Sequence, residues 1–150
     1  MRSSLTRAAG LAAAILAAHS ARAALGDVEA SVEADRLAMH AMQQTTPTPR
    51  FTMHELRAPS GTTVREYVSP TGTVFGVAWQ GPTLPDLRQL LGTHFDAYAA
   101  AAAERRTRRS PVLVRLPGLV VQSAGHMRAF VGKAYLPQAL PPGAAATEIQ

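Results

Sequence analysis

The chain has 150 residues, no cysteine, and 15 Lys and Arg against 10 Asp and Glu, a formal net charge of +5. The missing thiol excludes disulfides, a lipid-anchored cysteine, thiol catalysis, Cys-ligated zinc or iron–sulfur clusters and covalent c-type haem. Arg2, Arg7 and Arg22 carry much of the excess charge; the 127 residues after position 23 hold 12 basic and 10 acidic side chains, four of the basic ones in the run Arg105, Arg106, Arg108 and Arg109. Outside that run this part is slightly acidic, which argues against a broad nucleic-acid-binding face.

Residues 1–23 have the order of a secretory signal peptide: Arg2 and Arg7, an uncharged Ala/Leu/Ile run from Ala8 to Ala18, then Ala21-Arg22-Ala23 as a small-x-small site. The apolar run is too short to span a bilayer core, which takes ~20 helical residues. Cleavage is expected between Ala23 and Ala24, giving an exported protein, periplasmic or extracellular, with no transmembrane segment after signal removal.

Ala24 to Gln44 has helical character, with Val28, Val32, Met39 and Met42 near one another on a helical wheel and Asp27 or Ser31 as N-caps. Thr45-Thr46-Pro47-Thr48-Pro49 reads as a linker, because two prolines remove donors and bias their predecessors towards extended backbone. Phe51 to Arg57, Thr62 to Val68 and Val74 to Gln80 read as an antiparallel three-strand meander with turns at Ala58-Pro59-Ser60-Gly61 and Ser69-Pro70-Thr71-Gly72. The third strand is apolar on both faces and expected to be central.

A second helix follows, with Thr83 as N-cap, Pro85 in its first turn and a stripe of Leu84, Leu87, Leu91, Phe95 and Tyr98 facing the meander. Gly92 within it suggests close approach of a strand or a kink. Pro111 ends any helix. Leu119 to Ser123 and Met127 to Leu136 read as a C-terminal hairpin around Ala124-Gly125-His126, and residues 140–150 as a flexible Pro/Ala/Gly-rich tail. The expected fold is α+β: one antiparallel sheet of about five strands with two helices, in a single domain over residues 24–139.

At Val64-Arg65-Glu66-Tyr67-Val68, Val74 to Pro82, Leu84 to Gly92 and Gly125 to Phe130 the chain resembles the bacterial domain-of-unknown-function family 2844. That resemblance implies an exported envelope protein of no assigned activity and brings no catalytic residues with it. The Arg105 to Arg109 run is not part of the family pattern.

No reaction signature stands out. Val121-Gln122-Ser123-Ala124-Gly125 lacks the first glycine of a nucleophile elbow and lies between strands, so Ser123 reads as a turn serine. His40, His54, His94 and His126 are not at metal-ligand spacing, and neither a dinucleotide fingerprint nor a phosphate-binding loop is present, so no cofactor or metal is expected. The function expected is a non-catalytic envelope binding or accessory module with an unidentified protein or ligand as partner. The alternatives are attachment to the envelope surface, to an anionic membrane surface or acidic envelope polymers, through Arg105, Arg106, Arg108 and Arg109, and a hydrolase assembled from groups distant in sequence.

A partner site is expected on the sheet itself. With Pro70-Thr71 as a two-residue turn, Tyr67 opposes Val74 and Arg65 opposes Gly76. Arg65 and Tyr67 then flank a shallow place left by Gly76. The ordinary reading of that face is a wet surface or a seat for the first helix. The other face carries Val64, Val68, Phe75 and Val77, with Glu66 as a misfit expected either to lie at its edge or to pair with an arginine, Arg88 or Arg128.

Overall fold

The computed structural model describes residues 25–104 and 111–150. The signal segment with Ala23 and Ala24, and the run Arg105, Arg106, Arg108 and Arg109, lie outside them. The described residues form α1 (Ser31–Ala38), β1 (Met42–Pro47), β2 (Thr52–Arg57), β3 (Thr63–Val68), β4 (Val74–Gly81), α2 (Leu87–Leu91), α3 (Phe95–Ala103), β5 (Val112–Leu116), β6 (Leu119–His126) and β7 (Ala129–Tyr135). All pairings are antiparallel, in the order β1-β2-β3-β4-β7-β6-β5. Two meanders are thus joined where β7 lies against β4, and β4 is central.

The sheet therefore has seven strands rather than about five. One addition is β1. The helix expected to run towards Gln44 stops at Ala38, because His40 turns into the left-handed region (φ 50°). The amides of His40 and Ala41 then bond back to Leu37 O and Arg36 O, the double closure of a Schellman turn with histidine in the usual glycine place. Met42 to Pro47, expected as helix end and linker, pairs instead with β2 as an edge strand. Proline is tolerated there because an edge strand leaves backbone donors unpaired. The other addition is β5, joined to β6 by a two-residue turn at Pro117-Gly118 with Leu116 opposite Leu119.

The second helix is capped by Asp86 rather than Thr83. Its carboxylate accepts from the amides of Arg88 (2.9 Å) and Gln89 (3.2 Å). Thr83 bonds across to Thr62 instead. Gly92, at φ 51°, breaks the helix into α2 and α3 with a 3-10 turn between them. Leu87, Leu91 and Tyr98 of the expected stripe are buried, whereas Leu84 is exposed.

The helices cover one face of the sheet. Leu56, Val64, Val68, Val77, Trp79, Val121 and Ala134 pack there with Val32, Leu87, Leu90 and Leu91. Gly132 is what lets Trp79 lie flat across β7, since a Cβ at that position would stand 2.3 Å from the indole.

Phe75 does not join this layer. The loop closes over Ser69 to Thr73, with Ser69 N donating to Thr73 O and Gly72 N to Ser69 O. A bulge between Tyr67 and Val68 then leaves Phe75 as the extra residue, and it clusters with Tyr67, Ala78 and Ile149 on the opposite face. Tyr67 consequently opposes Gly76, and Arg65 opposes Ala78. That is a slip of two residues from the expected register, so the side-chain faces are kept from Gly76 onward, whereas Val74 and Phe75 exchange faces.

Candidate functional site: a trough on the uncovered face of the sheet

The face opposite the helices is crossed by residues 140–150, the segment expected as a flexible tail. It contains little regular structure, yet it is fastened at several points. Ile149 is buried and fills the place left by Gly76, where a Cβ would stand 2.7 Å from the isoleucine Cδ1. Tyr67 Oη donates to Gln150 O (2.9 Å) and accepts from Gln150 N (3.1 Å), and Arg65 Nη1 donates to the same carbonyl at 2.9 Å. Lys133 Nζ donates to Ala146 O and Ile149 O, each at 3.0 Å. Arg50 pairs with Glu148. Phe51, Tyr67 and Phe75 meet at ring centroid distances of 5.6 to 6.2 Å beneath this strap.

The structure thus brings Arg65, Tyr67 and Gly76 to one face as the sequence implied, and the room beside them is taken by Ile149 of the same chain. Arg65 is held in place by Glu55, which accepts from Arg65 Nε at 2.8 Å and from Arg57 Nε at 2.7 Å. The Arg65 hydrogen bond, aided by Arg57, keeps the Glu55 carboxyl below the usual range.

Beside the strap lies a trough of about 630 Å³ over β4, β7, β6 and β5, within the range that small-molecule sites occupy. Ala78, Leu113, Ala124, Val131 and Ile149 supply its apolar surface, and Arg65, Gln80, Gln122 and Lys133 its polar groups. No Asp, Glu or His lines it among the described residues. Val131 presents its side chain to this trough half exposed, at 50%. A second cleft of about 520 Å³ lies across the strap, over Met53, Glu55 and Tyr67, and shares Arg65, Gln80 and Gln150 with the first. Sequence reasoning placed Arg65 here but missed Lys133, Val131 and the strap.

The helix side holds a different polar group. Glu66 is buried opposite His54, beneath α1, and the residue facing it is Asp35 rather than Arg88 or Arg128. Arg88 instead pairs with Asp96 (3.1 Å) and lies over the Phe95 ring. Burial pushes the Asp35 carboxyl up to about 6, against a hydrogen bond from Gln89. Burial, with the Asp35 charge and hydrogen bond, pushes Glu66 well above the carboxylate range. A proton held between the two carboxyls lets one donate to the other and pairs two of the three buried carboxyl oxygens that have no other partner among the described residues. His54 Nδ1 meets Gln43 (3.0 Å) and Thr45 (3.1 Å), and Nε2 meets Glu29 (3.0 Å), a set that ties β1 and the start of α1 to β2.

Ser123 lies within β6, opposite Val112 and Gly132, rather than in a turn. No set of three His, Asp or Glu residues that could hold a metal ion occurs among the described residues. Nor is any described helix long and apolar enough to cross a membrane.

Fold and site together define an α+β protein with a helix-backed antiparallel sheet and a strapped, partly apolar trough on its other face. Residues 21–149 match the family described as Protein of unknown function (DUF2844), and the chain belongs to that family. No curated protein and no solved structure matches it.

Proposed function

We propose that this is an exported, non-catalytic binding module whose ligand lies in the trough beside the strap. The observation that carries this reading is the trough itself. An antiparallel sheet face left without helices is normally polar and wet, whereas this one is apolar along Ala78, Ala124, Val131 and Leu113 and walled by Ile149. Binding sites combine such apolar walls with a few placed polar groups, here Arg65, Gln80, Gln122 and Lys133. The described lining offers no carboxylate or imidazole for proton transfer, which favours binding over hydrolysis. Export rests on the ordered features of residues 1–23, and the mature chain should begin at Ala24.

The test is a small-molecule fragment screen followed by backbone NMR. Hits should shift the amides of Ala78, Gln122, Ala124, Val131 and Lys133 together. Hits that converge on the smaller helix-side cleft around Thr62, Thr83 and Gln89, or that converge nowhere, would reject the reading.

A further inference from the structure

Lys133 stands in the trough with an incomplete set of partners. Its ammonium has three donors; two are spent on the carbonyls of Ala146 and Ile149, and among the described residues it meets no carboxylate. Arg65 is the second cation lining the trough, and its Nη2 makes no hydrogen bond among the described residues beyond those that Nε and Nη1 make to Glu55 and Gln150. Among the described residues, two cationic side chains and no Asp or Glu line a space whose remaining surface is largely apolar. Arg65 already has Glu55 as its counterion, so it is the half-buried Lys133 ammonium, with two carbonyls and no carboxylate as partners among the described residues, that an incoming anion would relieve.

The strand register orders these groups. Ala78, Lys133, Gln122 and Leu113 form one row across β4, β7, β6 and β5, and Gln80, Val131 and Ala124 form the next. The positive end lies at the strap, and the row continues away from it to Leu113 at the edge of the sheet. A ligand matched to this surface is long and apolar with a single anionic end.

Resting on the binding reading above, we propose that the trough takes a free anionic amphiphile of the long-chain carboxylate class. Its head group lies on Lys133 and Arg65, and its chain lies over Val131, Ala124 and Leu113. The lining residues leave space for one monomeric chain bounded by Ile149 at the head end, which favours a free molecule over a lipid still seated in a bilayer.

The experiment is calorimetric titration of the protein with dodecanoate and dodecyltrimethylammonium below their micelle concentrations and with dodecanol below its solubility limit, alongside sedimentation with phosphatidylglycerol vesicles. Dodecanoate should bind at least tenfold more tightly than dodecanol, and the cation should not bind. Lys133→Gln should weaken dodecanoate binding at least tenfold and dodecanol binding by far less, so that the two bind alike. Dodecanol binding that persists in the variant is the check that the trough is intact. Val131→Asp should abolish both. Dodecanol binding as tightly as dodecanoate, with Val131→Asp removing both, would overturn the anionic class and leave the trough as a binding site. Binding of none of the three would overturn this proposal, while the fragment screen decides separately whether the trough binds anything. Sedimentation with vesicles in the absence of dodecanoate binding would overturn the choice of a free ligand.

Discussion

The two faces of the sheet are built from the same strands and solve different problems. The helix-covered face is closed by large aliphatic side chains and the Trp79 indole lying over Gly132, and its buried polar groups, Asp35 with Glu66 and the His54 set beside them, are bonded within the layer. The strapped face is closed only in part. Ile149 plugs one point and a handful of main-chain carbonyls tie the strap down, leaving cations and apolar side chains uncovered on either side of it. The contrast teaches that the first face is where stability resides and the second is where a ligand finds unsatisfied chemistry.

The largest effect expected from breaking that contrast is at Trp79. Trp79→Ala should cost about 3 to 5 kcal/mol in urea unfolding, the range for large aromatic truncation in a packed core. A loss below ~1 kcal/mol would mean that the helix-covered layer is not the main core.

Ile149→Ala should cost less, about 2 kcal/mol, the low end for aliphatic truncation, because one wall of its site can collapse towards solvent. Its signature should be local. Amide exchange should accelerate over residues 140–150 while α1 and β3 keep their protection. Equal acceleration throughout would make the strap part of the same cooperative layer.

The smallest effect is a pH dependence. Asp35 and Glu66 hold protons in the folded state that the unfolded chain releases at lower pH, so the folded state binds more protons. Stability from this pair is therefore fully present below the ordinary carboxylate range and is lost as pH rises through about 6 and beyond. Glu66→Gln should flatten that decline and raise stability at pH 8 by on the order of 1 to 2 kcal/mol, since an amide can bond to Asp35 without ionising. A wild-type protein more stable at pH 8 than at pH 5, with the variant unchanged, would contradict the assignment.

How much of this was legible in the sequence differs between the faces for a physical reason. Central β4 announces itself, because a strand buried on both faces is apolar at every position from Val74 to Trp79. The common face of Arg65, Tyr67 and Gly76 survives the wrong turn, because a slip of two residues preserves side-chain direction. Strand β1 carries no such signal. All six of its residues are exposed, so no alternation of burial is written into Met-Gln-Gln-Thr-Thr-Pro. Strand β5 does have a signal, Val-Leu-Val-Arg-Leu before Pro117-Gly118, masked by the arginine run just ahead of it.

The strap was hidden most thoroughly, because most of its hydrogen bonds are to main-chain carbonyls, which every sequence possesses. The one clue is Ile149, the lone large aliphatic residue in Pro141 to Gln150. Glu66 was recognised as a misfit, but its partner was sought among arginines. Only the placement of α1 over β3 reveals that a second carboxyl shares its proton.

The central claim is that ligand lies in the trough on the strapped face, and a crystal structure of the protein with dodecanoate tests it most directly. The carboxylate should lie within hydrogen-bond distance of Lys133 Nζ, with the chain crossing Val131 and Ala124 towards Leu113 and Ile149 still seated against Gly76. Dodecanoate bound beneath the helices, or seated in the place of Ile149 with the strap displaced, would contradict it.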